Sequence, residues 1–152
     1  MGLARSQELN EYYAMIDSLA ADPRILQMSA YIQHGRVSTL DHVKSVARLT
    51  FRLNTMLHAH GDKETLLYGA MLHDYYLYDW HHYDGGHFHG FTHPAAAAEN
   101  AVSDFEVSPK VEKVIRSHMW PLTILHVPSS REAWIVSMAD KIVSLNETVR
   151  KR

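Results

Sequence analysis

Apolar residues recur three and four positions apart through almost the whole chain, a period that admits helices and little else. Leu9, Tyr12, Tyr13, Ile16 and Leu19 make the first stripe, after the capping candidate Ser6. Asp22-Pro23 opens a second helix as an N-cap followed by proline at the first helical position. Its stripe of Ile25, Met28, Tyr31 and Ile32 predicts a stop at Gly35. Ser38 to Asp41 reads as a capping box for a long third helix to about His60. Asp62 caps a fourth, with Leu66, Leu67, Ala70, Met71 and Leu77 on its stripe. From Asp79 to Thr92 the glycines at 85, 86 and 90 break the period and predict a loop. Pro94, with His93 as cap, opens a fifth helix to Phe105, and Ser108-Pro109 opens a sixth to about Trp120. Ser129 to Glu132 makes a second capping box for a seventh helix, through Asp140 to about Thr148. No segment reads as a strand. The expectation is an all-α, single-domain bundle of about seven helices spanning residues 1–152.

Several polar residues sit on the apolar side of these helices. His42 shares a stripe with Val46, Leu49, Leu53 and Met56; His73 continues Leu66 and Ala70, and Asp74 continues Leu67, Ala70 and Met71. His118 follows Val111, Val114 and Ile115, and Asp140 lies between Val136 and Val143. A single histidine on an apolar face is more often a hydrogen-bonded core residue than a ligand. Two carboxylates and three imidazoles converging from four helices are a different case. A buried carboxylate is costly unless a cation or hydrogen-bond donors meet it, and no lysine or arginine lies on a facing apolar stripe. A divalent metal answers that need.

Composition removes other classes. The chain has no cysteine, so disulfides, zinc ribbons and thiol catalysis are excluded. A net charge of -2 gives no long-range pull toward a nucleic-acid duplex or an anionic membrane. No apolar run approaches the roughly 20 residues needed to span a bilayer, and the first residues lack a signal-peptide core; a cytoplasmic protein is expected. The 12 histidines are far more than chance supplies, and half of them fall between His73 and His93.

His42, then His73-Asp74 within Met71-Leu72-His73-Asp74, then Asp140 within Met138-Ala139-Asp140-Lys141, resemble the H…HD…D motif of the HD-domain superfamily of metal-dependent phosphohydrolases. The resemblance covers about residues 34–147. The segments Tyr31-Ile32-Gln33-His34-Gly35, Gly90-Phe91-Thr92-His93-Pro94 and His118-Met119-Trp120-Pro121 are similar to those of small stand-alone bacterial members. It implies a metal held by His42, His73, Asp74 and Asp140. In binuclear members two more histidines fall between the HD pair and the last aspartate, and His93 and His118 occupy that interval. Asp74 would then bridge two ions. Mixed imidazole and carboxylate ligation suits iron or manganese, with zinc, cobalt and nickel as further fits, better than calcium.

The implied activity is metal-assisted hydrolysis of a nucleotide or other small phosphate ester, with Asp74 and His73 at the reacting centre. Lys141, beside Asp140, is a candidate for assisting catalysis, and Lys44, near His42, for contacting substrate. His81, His82, His87 and His89 follow the HD pair, where a neutral imidazole near a metal-bound water can take its proton; His81 and His89 are the candidates. His34 is either a helix-end residue or a substrate contact. Two alternatives share the fold: a di-iron oxygenase similar to inositol oxygenase, which uses the same ligand order, and a non-catalytic module stabilised by metal. A full ligand set speaks against the second.

Overall fold

The structure is a computed structural model that describes residues 2–81 and 88–150. In chain order its elements are α1 (Gly2–Ala20), α2 (Pro23–Leu26), a 3-10 turn (Gln27–Ala30), β1 (Ile32–His34), β2 (Val37–Ser38), α3 (Thr39–Met56), α4 (Lys63–Leu72), α5 (His89–Phe105), α6 (Pro109–Ser117) and α7 (Arg131–Val149). Among the described residues the helices number seven and the only sheet is the two-residue pairing of β1 with β2.

The helix starts follow their capping chemistry. Side-chain oxygens of Asp22, Ser38, Asp62 and Ser108 accept from the backbone N–H of Arg24, Asp41, Thr65 and Val111, respectively. At α7 the cap is Ser130, which accepts from Ala133 N, one residue later than the expected box. Glu132 does not reach back to the cap; it accepts from Asp62 N–H at 2.8 Å and Lys110 Nζ at 3.0 Å, tying α7 to the α4 entrance.

α4 occupies the centre. It packs on α3, α6 and α7, and nearly all its residues from Thr65 to Leu72 are buried. A Cβ at Gly69 would lie 2.7 Å from Val114 Cγ1, so glycine is what lets α4 and α6 approach this closely. α1 closes the far side of α3, where Tyr12 stacks on Phe51 and donates to Lys63 O at 3.0 Å. No helix among the described residues is long and apolar enough to cross a membrane.

Several expectations are corrected. The second helix breaks after Leu26 into a 3-10 turn and then a hairpin, so one segment does form strands. Gly35, at φ 61°, turns that hairpin instead of ending a helix. α3 ends at Met56, because His58 and His60 adopt left-handed backbone, at φ 50° and 51°, without needing glycine; Met56 is exposed, not part of the buried stripe. α4 and α6 stop at Leu72 and Ser117, so His73, Asp74 and His118 lie at helix ends and not within helices. α5 begins at His89, which places His93 and Pro94 inside the helix and makes His93 no cap.

Candidate metal centre

His73 and His118 occupy equivalent places, each the C-cap of its helix. The last carbonyls of a helix have no intrahelical donor. His73 Nδ1 donates to Ala70 O and His118 Nδ1 to Ile115 O, both at 2.6 Å. His93, in the second turn of α5, donates from Nδ1 to His89 O at 2.8 Å. His42, in the first turn of α3, donates from Nδ1 to the Glu147 carboxylate of α7 at 2.9 Å. These acceptors carry no proton to give, so each Nδ1 holds the hydrogen and each neutral ring presents a bare lone pair at Nε2.

All four Nε2 atoms point into one buried space with two carboxylates. His42 Nε2 is 3.0 Å from Asp140 Oδ1 and 3.3 Å from Asp74 Oδ2. His73 Nε2 is 3.2 Å from Asp74 Oδ2 and 3.4 Å from Asp140 Oδ1. On the other side, Asp74 Oδ1 is 3.1 Å from His93 Nε2 and 3.5 Å from His118 Nε2. Asp74 thus turns one oxygen to each of two groups. Candidate ligand atoms of His42, His73, Asp74 and Asp140 all lie within 4.8 Å of one another, and so do those of Asp74, His93 and His118.

The donor set fits a divalent cation. His73 Nε2 and Asp74 Oδ1 are buried without a hydrogen-bond partner despite these close approaches, an arrangement that costs free energy unless a positive charge meets them. Without metal the charges balance by protonation. Burial depresses His42 and His73, but Asp74 and Asp140 outweigh it, lifting His42 well above its ordinary value and His73 to about 10. Burial pushes the other way on Asp74 and Asp140, and the neighbouring His73 charge, with the close approach of the other imidazoles, holds both well below the usual carboxylate range.

Side chains around the cluster hold it in place. Gln33 Nε2 donates to Asp74 Oδ2 at 2.9 Å, and Gln33 Oε1 accepts from Tyr76 OH at 2.6 Å and Thr39 Oγ1 at 3.3 Å. Ser144 Oγ donates to Asp140 Oδ1 at 3.2 Å. Sequence reasoning missed Gln33 and Glu147. Glu147 had a signal, because it lies two turns beyond Asp140 on the same face of α7; Gln33 had only its place in the Tyr31–Gly35 segment, since the expected helix hid its strand alternation.

A cavity of about 660 Å³ opens onto the cluster. Asp74, His93 and Asp140 line its floor, and Trp80, Met119, Pro121 and Leu122 its apolar mouth. Gly90 lines it too; a Cβ there would sit 2.8 Å from Leu122 Cδ2.

The remaining expected residues divide. Lys141 lines the cavity; the residue is exposed, but its Nζ donates to Ser137 Oγ at 2.6 Å and His118 O at 3.1 Å, and desolvation lowers its pKa. His34 lines it as well, edge-on to the His42 ring, with burial lowering its pKa. His89 is buried in its wall, hydrogen-bonded through Nδ1 to Tyr78 OH at 2.8 Å and stacked on Trp80. Burial, then the His93 charge, push it down to about 3, so it is neutral. His81 is exposed behind Trp80 and not part of the lining. Lys44 is also displaced: it faces α1, 3.6 Å from Asp17, because its position on α3 points it away from the cavity. His82 and His87 lie outside the described residues.

No curated protein and no solved structure matches the chain. The family model of the HD domain matches residues 39–145, which includes His42, the His73-Asp74 pair and Asp140. The family consists chiefly of metal-dependent hydrolases, and a buried His/Asp cluster able to hold a metal lies within the matched span. The chain belongs to the HD domain family.

Proposed function

We propose that this protein is a phosphohydrolase acting on a small phosphate ester, a nucleotide included, at a centre of one or two divalent transition metals, iron or manganese first. The observation that carries the reading is the orphaned pair of buried atoms, His73 Nε2 and Asp74 Oδ1, in a cluster of four imidazole lone pairs and two carboxylates. His42, His73, Asp74 and Asp140 would hold one ion; Asp74, His93 and His118 would hold a second. Metal bound there supplies Lewis acidity, lowering the pKa of a water and polarising the phosphoryl oxygens.

The chain's own residues do the rest. Asp74 is oriented by Gln33 so that Oδ1 faces His93 and His118. Glu147 fixes the His42 tautomer, leaving Nε2 free toward the ion. Lys141 is the only lysine or arginine among the described lining residues, so a phosphate gets one side-chain cation and its other charge falls to the metals. The neutral His89, held down to about 3, is too weak a base to take a proton and instead braces the pocket wall through its hydrogen bond with Tyr78. The apolar mouth of Trp80, Met119, Pro121 and Leu122 excludes water and receives the organic part of the ester.

The test is metal analysis of freshly purified protein joined to a panel of phosphomonoesters, phosphodiesters and nucleotides, with Asp74→Asn as control. Metal-dependent release of phosphate by the wild type alone supports the reading. A redox-active di-iron spectrum with oxygen consumption and no phosphate release would assign the site to an oxygenase. Bound metal with neither activity would leave a binding module.

A further inference from the structure

A surface helix in a folded protein shows an apolar face to the core and a charged face to water. α7 does not. Ala133, Ile135, Val136, Ala139 and Val143 are buried on one side. On the other, Trp134, Met138, Ile142, Leu145 and Val149 are between 43% and 67% exposed. Steps of four, three and four residues separate Met138, Ile142, Leu145 and Val149, the spacing of a seam that packs against another helix. The patch extends beyond α7. Trp134 meets Trp120 edge-on at 5.1 Å, and Trp120 leads into the segment 122–127, where Ile124 is 71% and Leu125 91% exposed.

We infer that this face is where a second copy of the chain docks, with the two α7 helices antiparallel about a two-fold axis beside Ile142. In that arrangement Met138 of one copy meets Leu145 of the other, and Ile142 meets its own equivalent. Each seam residue thereby finds an apolar neighbour, as an isologous interface requires.

Area supports the choice of occupant. The exposed parts of the five α7 residues with Ile124, Leu125 and Val127 make on the order of 1,000 Å² of mostly apolar surface, against about 300–600 Å² for the largest patch on a typical monomer and about 800 Å² per partner in a stable complex. Charge supports it too. Between positions 141 and 146 of α7 the one charged residue is Lys141, and its ammonium is turned away into hydrogen bonds with Ser137 Oγ and His118 O. A seam without charge has nothing to steer an unlike partner and nothing to repel its own copy. An interfacial membrane helix, in turn, carries lysines and arginines along its polar face, and here that face is packed in the core.

Sedimentation velocity on the full chain, with cysteine cross-linking, tests the proposal. The wild type should sediment at twice the 17.4 kDa of one chain, and Ile142→Glu as a monomer of unchanged helical circular dichroism. Because the chain has no cysteine, Ile142→Cys should cross-link to itself rapidly under oxidation, whereas Leu26→Cys, an exposed position on α2, should not. A wild type that stays monomeric up to near-millimolar concentration overturns the proposal. So does cross-linking no faster at 142 than at 26. A monomer that binds phosphatidylcholine vesicles through this face would overturn it as well, assigning the patch to a bilayer.

Discussion

His93 and His118 face each other through their Nε2 atoms at 2.9 Å, each with its Nδ1 committed to a backbone carbonyl. Two lone pairs at that separation repel unless a proton or a metal ion lies between or beside them. Burial and neighbouring positive charge depress His118 and disfavour the proton; the pair and Asp74 Oδ1 together could hold a metal ion, as proposed above. Alanine at His93 or His118 should therefore lower bound metal from about two to about one per chain, the other ion staying with the His42 group. Circular dichroism should be unchanged. Inductively coupled plasma analysis decides, and loss of both ions or of neither contradicts the division.

Asp74→Asn keeps the side chain's shape and its hydrogen bond to Gln33, but removes the charge that both ions would share. Phosphate release should fall to background. The thermal midpoint of the wild type should rise on metal addition, by linkage, and that response should largely vanish in the variant. Were Asp74 only a buried acceptor, Asn would cost about 1–3 kcal/mol of stability and leave the metal response intact.

Glu147→Gln tests a residue that touches no expected ion. The amide can still accept from His42 Nδ1, yet it no longer raises the basicity of the ring. Metal affinity should drop about 10–100-fold with the fold preserved. Isothermal titration with manganese measures it; an affinity equal to the wild type would show that the 2.9 Å contact is structural only.

The pH dependence follows from the protonated cluster. His73 rises from 6.5 to about 10 in the folded chain. A raised folded pKa gives stability that is fully present below 6.5 and lost as pH climbs through about 10. Asp74 and Asp140, held below 3.8, give stability present above that value and lost in acid. The metal-free protein should thus lose thermal stability steadily from about pH 6.5 to 10. Metal must displace these protons, so its stabilising effect should grow over the same range. Thermal scans with chelator and with manganese test both trends, and a flat chelator profile would refute the imidazolium–carboxylate balance.

Helix count, four of the N-caps and the identity of the buried polar residues were legible in the sequence, because capping and hydrophobic periodicity are local: Asp22, Ser38, Asp62 and Ser108 act on a backbone N–H two or three residues away. His42, His73, Asp74, His118 and Asp140 stood out because a polar side chain on an apolar stripe needs a partner wherever it is buried. Only the tertiary structure decided what those partners are. The hairpin that aims Gln33 at Asp74 forms where local pattern favoured helix, since Gln33 gains its three hydrogen bonds only when Thr39, Asp74 and Tyr76 arrive from elsewhere. His73 and His118 end their helices because their rings cap the carbonyls of Ala70 and Ile115 while turning Nε2 inward, a gain invisible to periodicity. Lys44 and Lys141 each neighbour a core-facing residue in sequence, yet α3 turns the first toward Asp17 and α7 the second into the cavity. Which of two such side chains reaches a site depends on how helices rotate against one another, and that is set by the packing of the whole core.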